Sequence, residues 1–258
     1  MTEPVPALVT LHVWRVPRRR IPSALLRMAA DRRPIGHTPG LRFGKMLGTG
    51  NGATFSARDS DPTRWALLST WATPNDATAF EDSPTARRWS GWATEQWRAD
   101  LLPLASRGQW SGHEPFGQPQ ASRWTGPVAA LTRARLRPAK MATFWQAVPP
   151  VALDLWSPAG TDLSAGADLS AGTDLSAGAA QRPGLRAAIG IGEAPAMFQG
   201  TFSVWDGTDA LTEFAYRGAA HRAAIRRTAE ENWYAEDLFA RFGVLGSSGM
   251  LSGSDPLA

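Results

Sequence analysis

Trp71-Ala-Thr-Pro-Asn-Asp-Ala-Thr-Ala-Phe80 is the stretch that decides the fold, because the chain repeats its pattern once. The second copy is Trp205-Asp-Gly-Thr-Asp-Ala-Leu-Thr-Glu-Phe214, with the same nine-residue step from Trp to Phe. Two more pairs of blocks match in the same order, Thr38–Arg42 with Arg182–Arg186 and Glu95–Trp97 with Glu231–Trp233. Three matched blocks predict one fold used twice, with an internal interface that is a usual place for a ligand cavity.

Each half shows the order strand, helix, strand, strand, helix, strand. The predicted strands of the first half are 8–16, 41–47, 65–71 and 107–110, with helices at 22–31 and from 74 toward 101, the latter broken at Pro84. Those of the second half are 128–136, 185–191, 198–205 and 242–245, with helices at 140–147 and 210–241. This order predicts an α+β fold of tandem ferredoxin-like repeats that form an intramolecular dimeric α/β barrel, whose interior can hold a ligand.

The predicted domains are an N-terminal half, 1–117, and a C-terminal half, 126–258. A linker rich in Gln, Ser and Pro joins them. Residues 161–178 are three hexapeptides that share Asp-Leu-Ser-Ala-Gly, and we expect a flexible surface insertion because one large apolar residue in six cannot pack a core. The alternative is a hexapeptide β-helix, although three turns without flanking repeats are unstable alone.

Composition excludes several classes of protein. The chain has 258 residues and no cysteine, so disulfides, thiolate metal ligands and a cysteine nucleophile are absent. Neither a signal peptide nor an apolar run of the ~20 residues that span a membrane is present, which predicts a cytoplasmic protein. Lys45 and Lys140 are the only lysines among 27 basic residues, and the basic residues are spread along the chain, so we expect no nucleic-acid binding.

Histidine is the main candidate for cofactor chemistry, since no metalloprotease, nucleophile-elbow, phosphate-loop or dinucleotide motif is present. His221 lies in a predicted helix, and its neighbours on the same face are Gly218, Ala224 and Ile225. Such residues leave a flat surface beside the imidazole, suited to a planar macrocycle. Nearby arginines can pair with acidic side arms of that macrocycle: Arg217, Arg222, Arg226 and Arg227. The alternative is a surface histidine on a basic helix.

Several long motifs resemble the spheroidene monooxygenase family. In the second half they are Gly184–Pro195, His221–Arg226 and Glu231–Phe242, and in the first half Thr38–Gly50 and Arg107–Gly112. The resemblance covers nearly the whole chain except the N-terminus, the linker and the hexapeptide insertion. The motifs are more specific to the family than to its substrate.

This resemblance implies a haem-containing oxygenase of the dimeric α/β-barrel superfamily. Named members convert a methylene of an acyclic carotenoid into a ketone by successive hydroxylations, with O2 and an external electron donor. The implied cofactor is haem b with His221 as the iron ligand, and the implied partners are a lipophilic substrate and a redox protein such as a ferredoxin. Two alternatives stay open: a haem enzyme with aldoxime dehydratase-like chemistry, and a cofactor-free barrel that binds a hydrophobic small molecule.

Three further residues are candidates for catalysis. Glu193 is a possible hydrogen-bond acceptor for the second ring nitrogen of His221, the alternative being a cap at a strand end. His12 can donate to bound oxygen if its face of the first strand lines the barrel; the alternative is a structural histidine. Lys45 and Arg42 lie on the second strand with opposite parity, so only one of them points inward. The tryptophans of the repeated blocks are predicted to pack in the core: Trp71, Trp97, Trp205 and Trp233.

Overall fold

A computed structural model describes residues 3–50, 60–120, 122–140, 183–193, 200–217, 231 and 233–258. The first half contains β1 (Leu8–Arg15), a 3-10 turn (Arg18–Arg20), α1 (Ile21–Ala30), α2 (Arg32–Gly36), β2 (Leu41–Gly50), β3 (Ser60–Trp71), α3 (Pro74–Glu81), α4 (Pro84–Trp92) and β4 (Glu95–Gly108). The second half contains β5 (Val128–Leu136), a 3-10 turn (Pro138–Lys140), β6 (Leu185–Gly192), β7 (Gly200–Trp205), α5 (Thr208–Arg217) and β8 (Tyr234–Gly249).

The eight strands close into an antiparallel barrel in the order β1-β3-β2-β6-β7-β5-β8-β4. Each half contributes four neighbouring strands in the same order, β4-β1-β3-β2 and β8-β5-β7-β6, and the halves join where β2 pairs with β6 and β4 with β8. The predicted α+β class is therefore confirmed. Apart from Lys140, which ends a 3-10 turn, the helix predicted at 140–147 lies outside the described residues, as does the insertion at 161–178, so the full tandem ferredoxin-like order stays a prediction.

Two of the repeated blocks occupy equivalent places in the two halves. Trp71 lies opposite Leu41 of β2, and Trp205 lies opposite Leu185 of β6, with a register shift after each leucine. Each leucine follows a glycine with positive φ, +72° in the first half and +78° in the second, which favours glycine there. The nine-residue step from Trp to Phe also gives the same ring contact in both halves. The ring centroids of Trp71 and Phe80 lie 5.4 Å apart, and those of Trp205 and Phe214 lie 5.1 Å apart.

The third match, between Glu95–Trp97 and Glu231–Trp233, is wrong in its alignment. Glu95 lies opposite Arg15 in β1, and the residue in the same place of the second half is Glu236, opposite Arg135 in β5. The true counterpart therefore begins five positions later (236 minus 231). All four tryptophans of the repeated blocks are nevertheless buried, as predicted for core residues.

Two predicted boundaries are also wrong. β4 begins at Glu95 and runs for 14 residues, where a helix toward Leu101 and a short strand at 107–110 were predicted. β8 begins at Tyr234 and runs for 16 residues, where a helix to Arg241 was predicted. The two strands pair with each other over most of their length, and this tertiary pairing outweighs the local helical pattern.

Alternating side chains of the strands fill the barrel with one hydrophobic cluster. From β1, Val9, Leu11 and Val13 point inward, whereas Trp14 belongs to a second cluster beneath the helices of the first half. A third, smaller cluster lies between α5 and the second half's sheet. The interior is thus a packed core, and the expectation that it holds a ligand is not supported in the part of the chain that the structure describes. None of the described helices is long and apolar enough to cross a bilayer.

Candidate functional site

A cluster of charged side chains closes one end of the barrel and joins both halves. Lys45 of β2 lies with its Nζ 3.0 Å from Oε1 of Glu193, which directly follows β6. Arg133 of β5 lies with a terminal nitrogen 2.9 Å from the other carboxylate oxygen of Glu193, and it also pairs with Glu236 of β8. The Trp110 indole donates to Oε1 of Glu193 at 2.9 Å and lies beneath the Arg133 guanidinium. Two predicted site residues, Lys45 and Glu193, are therefore brought together.

Arg133 is the buried centre of this cluster. Its side chain is 4% exposed, and it points inward at the strand position that Val13 occupies in the first half. A buried guanidinium is tolerated when carboxylates and hydrogen bonds compensate its charge. Here Glu193 and Glu236 supply that compensation, so the three side chains form one interdependent network.

Both carboxylates are held ionised. Burial alone raises the pKa of Glu193, but hydrogen bonds from Trp110 and Lys45 and the charges of Lys45 and Arg133 outweigh it, so its pKa lies below the ordinary value. Burial likewise opposes ionisation of Glu236, yet backbone N–H groups of the 111–112 turn and the Arg133 side chain lower its pKa. Both oxygens of Glu193 already accept hydrogen bonds from described residues. The hydrogen bond predicted from His221 to Glu193 would therefore have to share one of these oxygens with a described donor.

His12 lies on the outer face of the first half's sheet, not in the barrel interior. It is 4% exposed, its Nε2 lies 2.7 Å from Oε1 of Glu81 in α3, and its ring stacks on Trp14 at 5.2 Å. Burial raises the pKa of Glu81, but the contact with His12 and the charge of Arg98 bring it below the ordinary value. The distal role predicted for His12 required its face to line the barrel, and that condition is not met. The contacts support the structural alternative.

The residues predicted to hold a cofactor fall largely outside the described part of the chain. These are Gly218, His221, Arg222, Ala224, Ile225 and Arg226. Arg217 is the last residue of α5, and the structure describes its backbone but not its side chain. Their predicted roles are therefore untested. The end of α5 at Arg217 gives only the point from which the chain continues toward His221.

The outer face of the second half's sheet carries small residues where the first half carries large ones. The strand registers give four correspondences: His12 to Thr132, Trp14 to Ala134, Met46 to Gly190 and Leu67 to Thr201. With Ala130, Ala188 and Ser203, these second-half positions form what we call the small-residue face. In the first half the large side chains pack beneath α1–α4, whereas the described helix over the second half is α5 alone.

Arg241 of β8 borders the small-residue face. It lies opposite Ala130 of β5, and in the first half the same place is held by Asp100, opposite Thr10. The Nε atom of Arg241 is buried, and no residue in the described part of the chain accepts a hydrogen bond from it. A buried donor without a partner is costly, so an arginine here fits a group that brings an acceptor such as a carboxylate.

Sequence reasoning missed Arg133, Trp110 and Glu236. A fourth repeated block carries the signal that was available, namely Gly108-Gln-Trp-Ser-Gly112 and Gly249-Met-Leu-Ser-Gly253, whose serines both have positive φ. Glu236 accepts a hydrogen bond from Gly112 N at 2.8 Å, and Glu95 accepts bonds from Ser252 N and Gly253 N at 3.0 and 2.7 Å. Each half thus binds the closing turn of the other, as in a two-fold symmetric interface.

No family model matches the chain. Over 241 residues it is 34% identical to the spheroidene monooxygenase of Rhodobacter capsulatus, which covers 92% of this chain and 90% of that protein. It is 32% identical over 256 residues to the spheroidene monooxygenase of Cereibacter sphaeroides, with coverages of 96% and 70%. The protein of that name from Rubrivivax gelatinosus is 33% identical, with coverages of 88% and 78%.

Solved structures support the fold. An aldoxime dehydratase in complex with butyraldoxime superimposes with a TM-score of 0.52 over 92% of this chain and 79% of that one, at 9% identity. A second aldoxime dehydratase gives a TM-score of 0.51 at the same identity, with coverages of 96% and 81%. At such low identity the likeness extends to the fold alone.

Proposed function

Because this chain belongs to the spheroidene monooxygenase family, we propose that it is a monooxygenase that oxidises a C–H bond of a lipophilic, carotenoid-type substrate. The observation that carries the proposal is identity of 32–34% to three proteins of that name over most of the chain. The finer proposal is hydroxylation of a methylene that proceeds to a ketone. A monooxygenase places one atom of O2 in its substrate and reduces the other to water, so an external electron donor such as a ferredoxin belongs to the proposal.

We propose haem b as the cofactor, and two features of the described part of the second half support the proposal. Among the described residues, the small-residue face presents small side chains suited to a flat ring, and the buried Nε of Arg241, from which none of them accepts a hydrogen bond, suits a carboxylate side arm. By contrast, the described residues contain no group of three or more His, Asp or Glu side chains that could hold a bare metal ion. When bound, haem supplies activation of O2 and transfer of oxygen to carbon.

The residues proposed to hold the haem come from sequence. His221 is the proposed iron ligand, with Gly218, Ala224 and Ile225 forming the surface beside it. The proposed partners of the carboxylate arms are arginines: Arg217, Arg222, Arg226 and Arg241. With no cysteine in the chain, a thiolate ligand of the cytochrome P450 type is excluded.

Lys45 and Glu193 are proposed as the polar pair that holds a proton near the end of the barrel. The Lys45 ammonium donates to the ionised Glu193 carboxylate at 3.0 Å and to Ser111 Oγ at 2.9 Å, which extends the chain of donors toward the first half's closing turn. Arg133 and Trp110 orient the Glu193 carboxylate. His12 is left out of the catalytic proposal because it is bound beneath α3.

We further infer that the two halves are tandem ferredoxin-like repeats, with 1–117 and 126–258 as the structural units. The shared strand order, the two glycines of positive φ and the reciprocal closing turns support this inference. The helix predicted at 140–147, between β5 and β6, would complete the second repeat, and residues 141–147 lie outside the described part of the chain.

Spectroscopy and turnover together test the function. The protein purified from cells grown with ample iron should show a Soret band, and with reduced ferredoxin and O2 it should convert an acyclic carotenoid to hydroxylated and then ketone products. Chromatography with mass detection identifies them. Haem-loaded protein that leaves the carotenoid unchanged but dehydrates an aldoxime without net electron use would support the dehydratase alternative. Protein without haem that still binds a carotenoid would support the cofactor-free barrel.

A further inference from the structure

Helix α1 turns an apolar face toward solvent. Its exposed residues follow helical spacing along one side: Pro22, Leu25, Leu26 and Ala29. Leu26 is 70% exposed and Leu25 is 40% exposed, while Ala24 and Met28 on the other side are buried against the first half. A surface helix normally has one apolar stripe and a polar opposite side. Here both sides are apolar, and only one of them is covered.

Arginines flank this exposed stripe at both ends. Arg18–Arg20 precede α1, and Arg32 and Arg33 follow it, all of them exposed. The one acidic residue between positions 18 and 36 is Asp31, which is fully buried and bound by Arg27, Arg88 and Trp89. Asp31 therefore does not offset the charge that the surface shows to a partner. Within the described part of the chain, Arg18, Arg19 and Arg33 take part in no ion pair.

We propose that this surface, named the α1 face, docks on a bilayer that contains anionic lipids. It comprises the apolar stripe of Pro22, Leu25, Leu26 and Ala29 with its five flanking arginines, 18–20, 32 and 33. Leucines between two groups of arginines match the boundary of a bilayer, where hydrocarbon lies directly beneath phosphate. The long arginine side chains can reach headgroups while the leucines enter the acyl region.

An acidic soluble protein matches this surface less well. Such a partner satisfies the arginines, but it offers no reason for two adjacent exposed leucines on the outermost line of the helix. Docking to a membrane also places the enzyme where a lipophilic substrate dissolves, and only that last link rests on the proposed function. The lipid interaction itself follows from α1 and its flanks.

Vesicle binding tests the α1 face without substrate or turnover. The full chain is sedimented with vesicles of phosphatidylcholine alone and of phosphatidylcholine mixed with phosphatidylglycerol. We expect binding to the mixed vesicles, weakening with salt, and little binding to the neutral ones. Leu25→Gln/Leu26→Gln should reduce partitioning about tenfold or more. Arg19→Gln/Arg33→Gln should reduce it about fivefold for each arginine removed, the fold-change that ~1 kcal/mol per basic residue gives near an anionic surface.

Matched controls separate the α1 face from general charge and hydrophobicity. Leu245→Gln/Met250→Gln alters two apolar residues of 52% and 56% exposure outside α1, and Arg42→Gln/Arg123→Gln removes two exposed arginines elsewhere. Both control proteins should bind as the wild type does. All four variants change exposed residues, and circular dichroism melting confirms that each is folded. Equal binding by the wild type and the leucine variant, or no binding of the wild type to anionic vesicles, overturns the proposal whatever the enzyme's activity.

Discussion

Arg133→Met should destabilise the protein by about 3 kcal/mol, because it removes the cation at the centre of a buried network. Deleting one partner of a buried ion pair typically costs ~3–5 kcal/mol. We expect the lower end because Glu193, 31% exposed, keeps its bonds to Lys45 and Trp110, while Glu236 keeps its backbone donors. For a chain of this size, ~2–4 °C per kcal/mol gives a fall in Tm of roughly 6–12 °C.

Calorimetry and urea titration measure this change, with Arg135→Met as the matched control. Arg135 lies 3.9 Å from the same Glu236 carboxylate, yet its side chain is 57% exposed. An exposed pair of that length contributes little, so the control should stay within about 0.5 kcal/mol of wild type. Should Arg133→Met and Arg135→Met prove equally mild, the network at the barrel end would not have the importance argued for it.

Three other outcomes are expected. The folded pKa values of Glu193 and Glu236 lie below the ordinary value, so their contribution to stability is present above pH ~4.5 and is lost as pH falls through the folded values. In urea titrations at several pH values, the free energy of unfolding of Glu236→Gln should therefore fall less steeply toward acid pH than that of wild type. An unchanged slope would contradict this. His12→Leu should lower stability by ~1 kcal/mol, because Glu81 loses its hydrogen bond to His12 but keeps its ion pair with Arg98, and it should leave the Soret band intact; loss of haem would return His12 to the site. Deleting residues 161–178 should shift Tm little, because loop length costs only ~0.6 kcal/mol per doubling; a large drop in the melting scan would show that the repeat packs.

Local features of the fold were predictable from sequence, and features that depend on strand register were not. The Pro-Gly-Leu turn and the Trp-to-Phe step recur because each serves a contact within a short segment, so the residues themselves are repeated. Glu95 and Glu236 hold equivalent places opposite Arg15 and Arg135, and the match at 231–233 obscured this; of the repeated blocks, Gly108–Gly112 with Gly249–Gly253 has the spacing that aligns the two glutamates.

The site shows the same division. Glu193 was identifiable from its place in the turn that follows an apolar strand, and Lys45 from its parity on the second strand, opposite to that of Arg42. Arg133 was missed because its inward direction depends on the pairing of β5 with β7 and β8, and a strand with several arginines does not show which of them is buried. Likewise, the small-residue face appears only when the two halves are compared by register, since threonine and alanine attract no attention singly.

Placing the first half's side chains on the small-residue face tests whether a flat ligand lies there. Gly190→Met/Thr201→Leu puts residues into the second half that the first half carries at Met46 and Leu67. We expect a folded protein with reduced haem content, measured as Soret absorbance per mole of protein. Full loading in this variant would place the haem elsewhere.

The most direct test of the central proposal is the haem content of His221→Ala beside wild type, His37→Ala and His113→Ala. The last two change exposed histidines and serve as matched controls. Wild type and both controls should show the same Soret band, and His221→Ala should lose stable haem while keeping its melting transition. Full loading with an unchanged ferric spectrum in His221→Ala would contradict the assignment of the ligand. A haem-free wild-type protein from cells grown with ample iron would contradict the haem proposal itself.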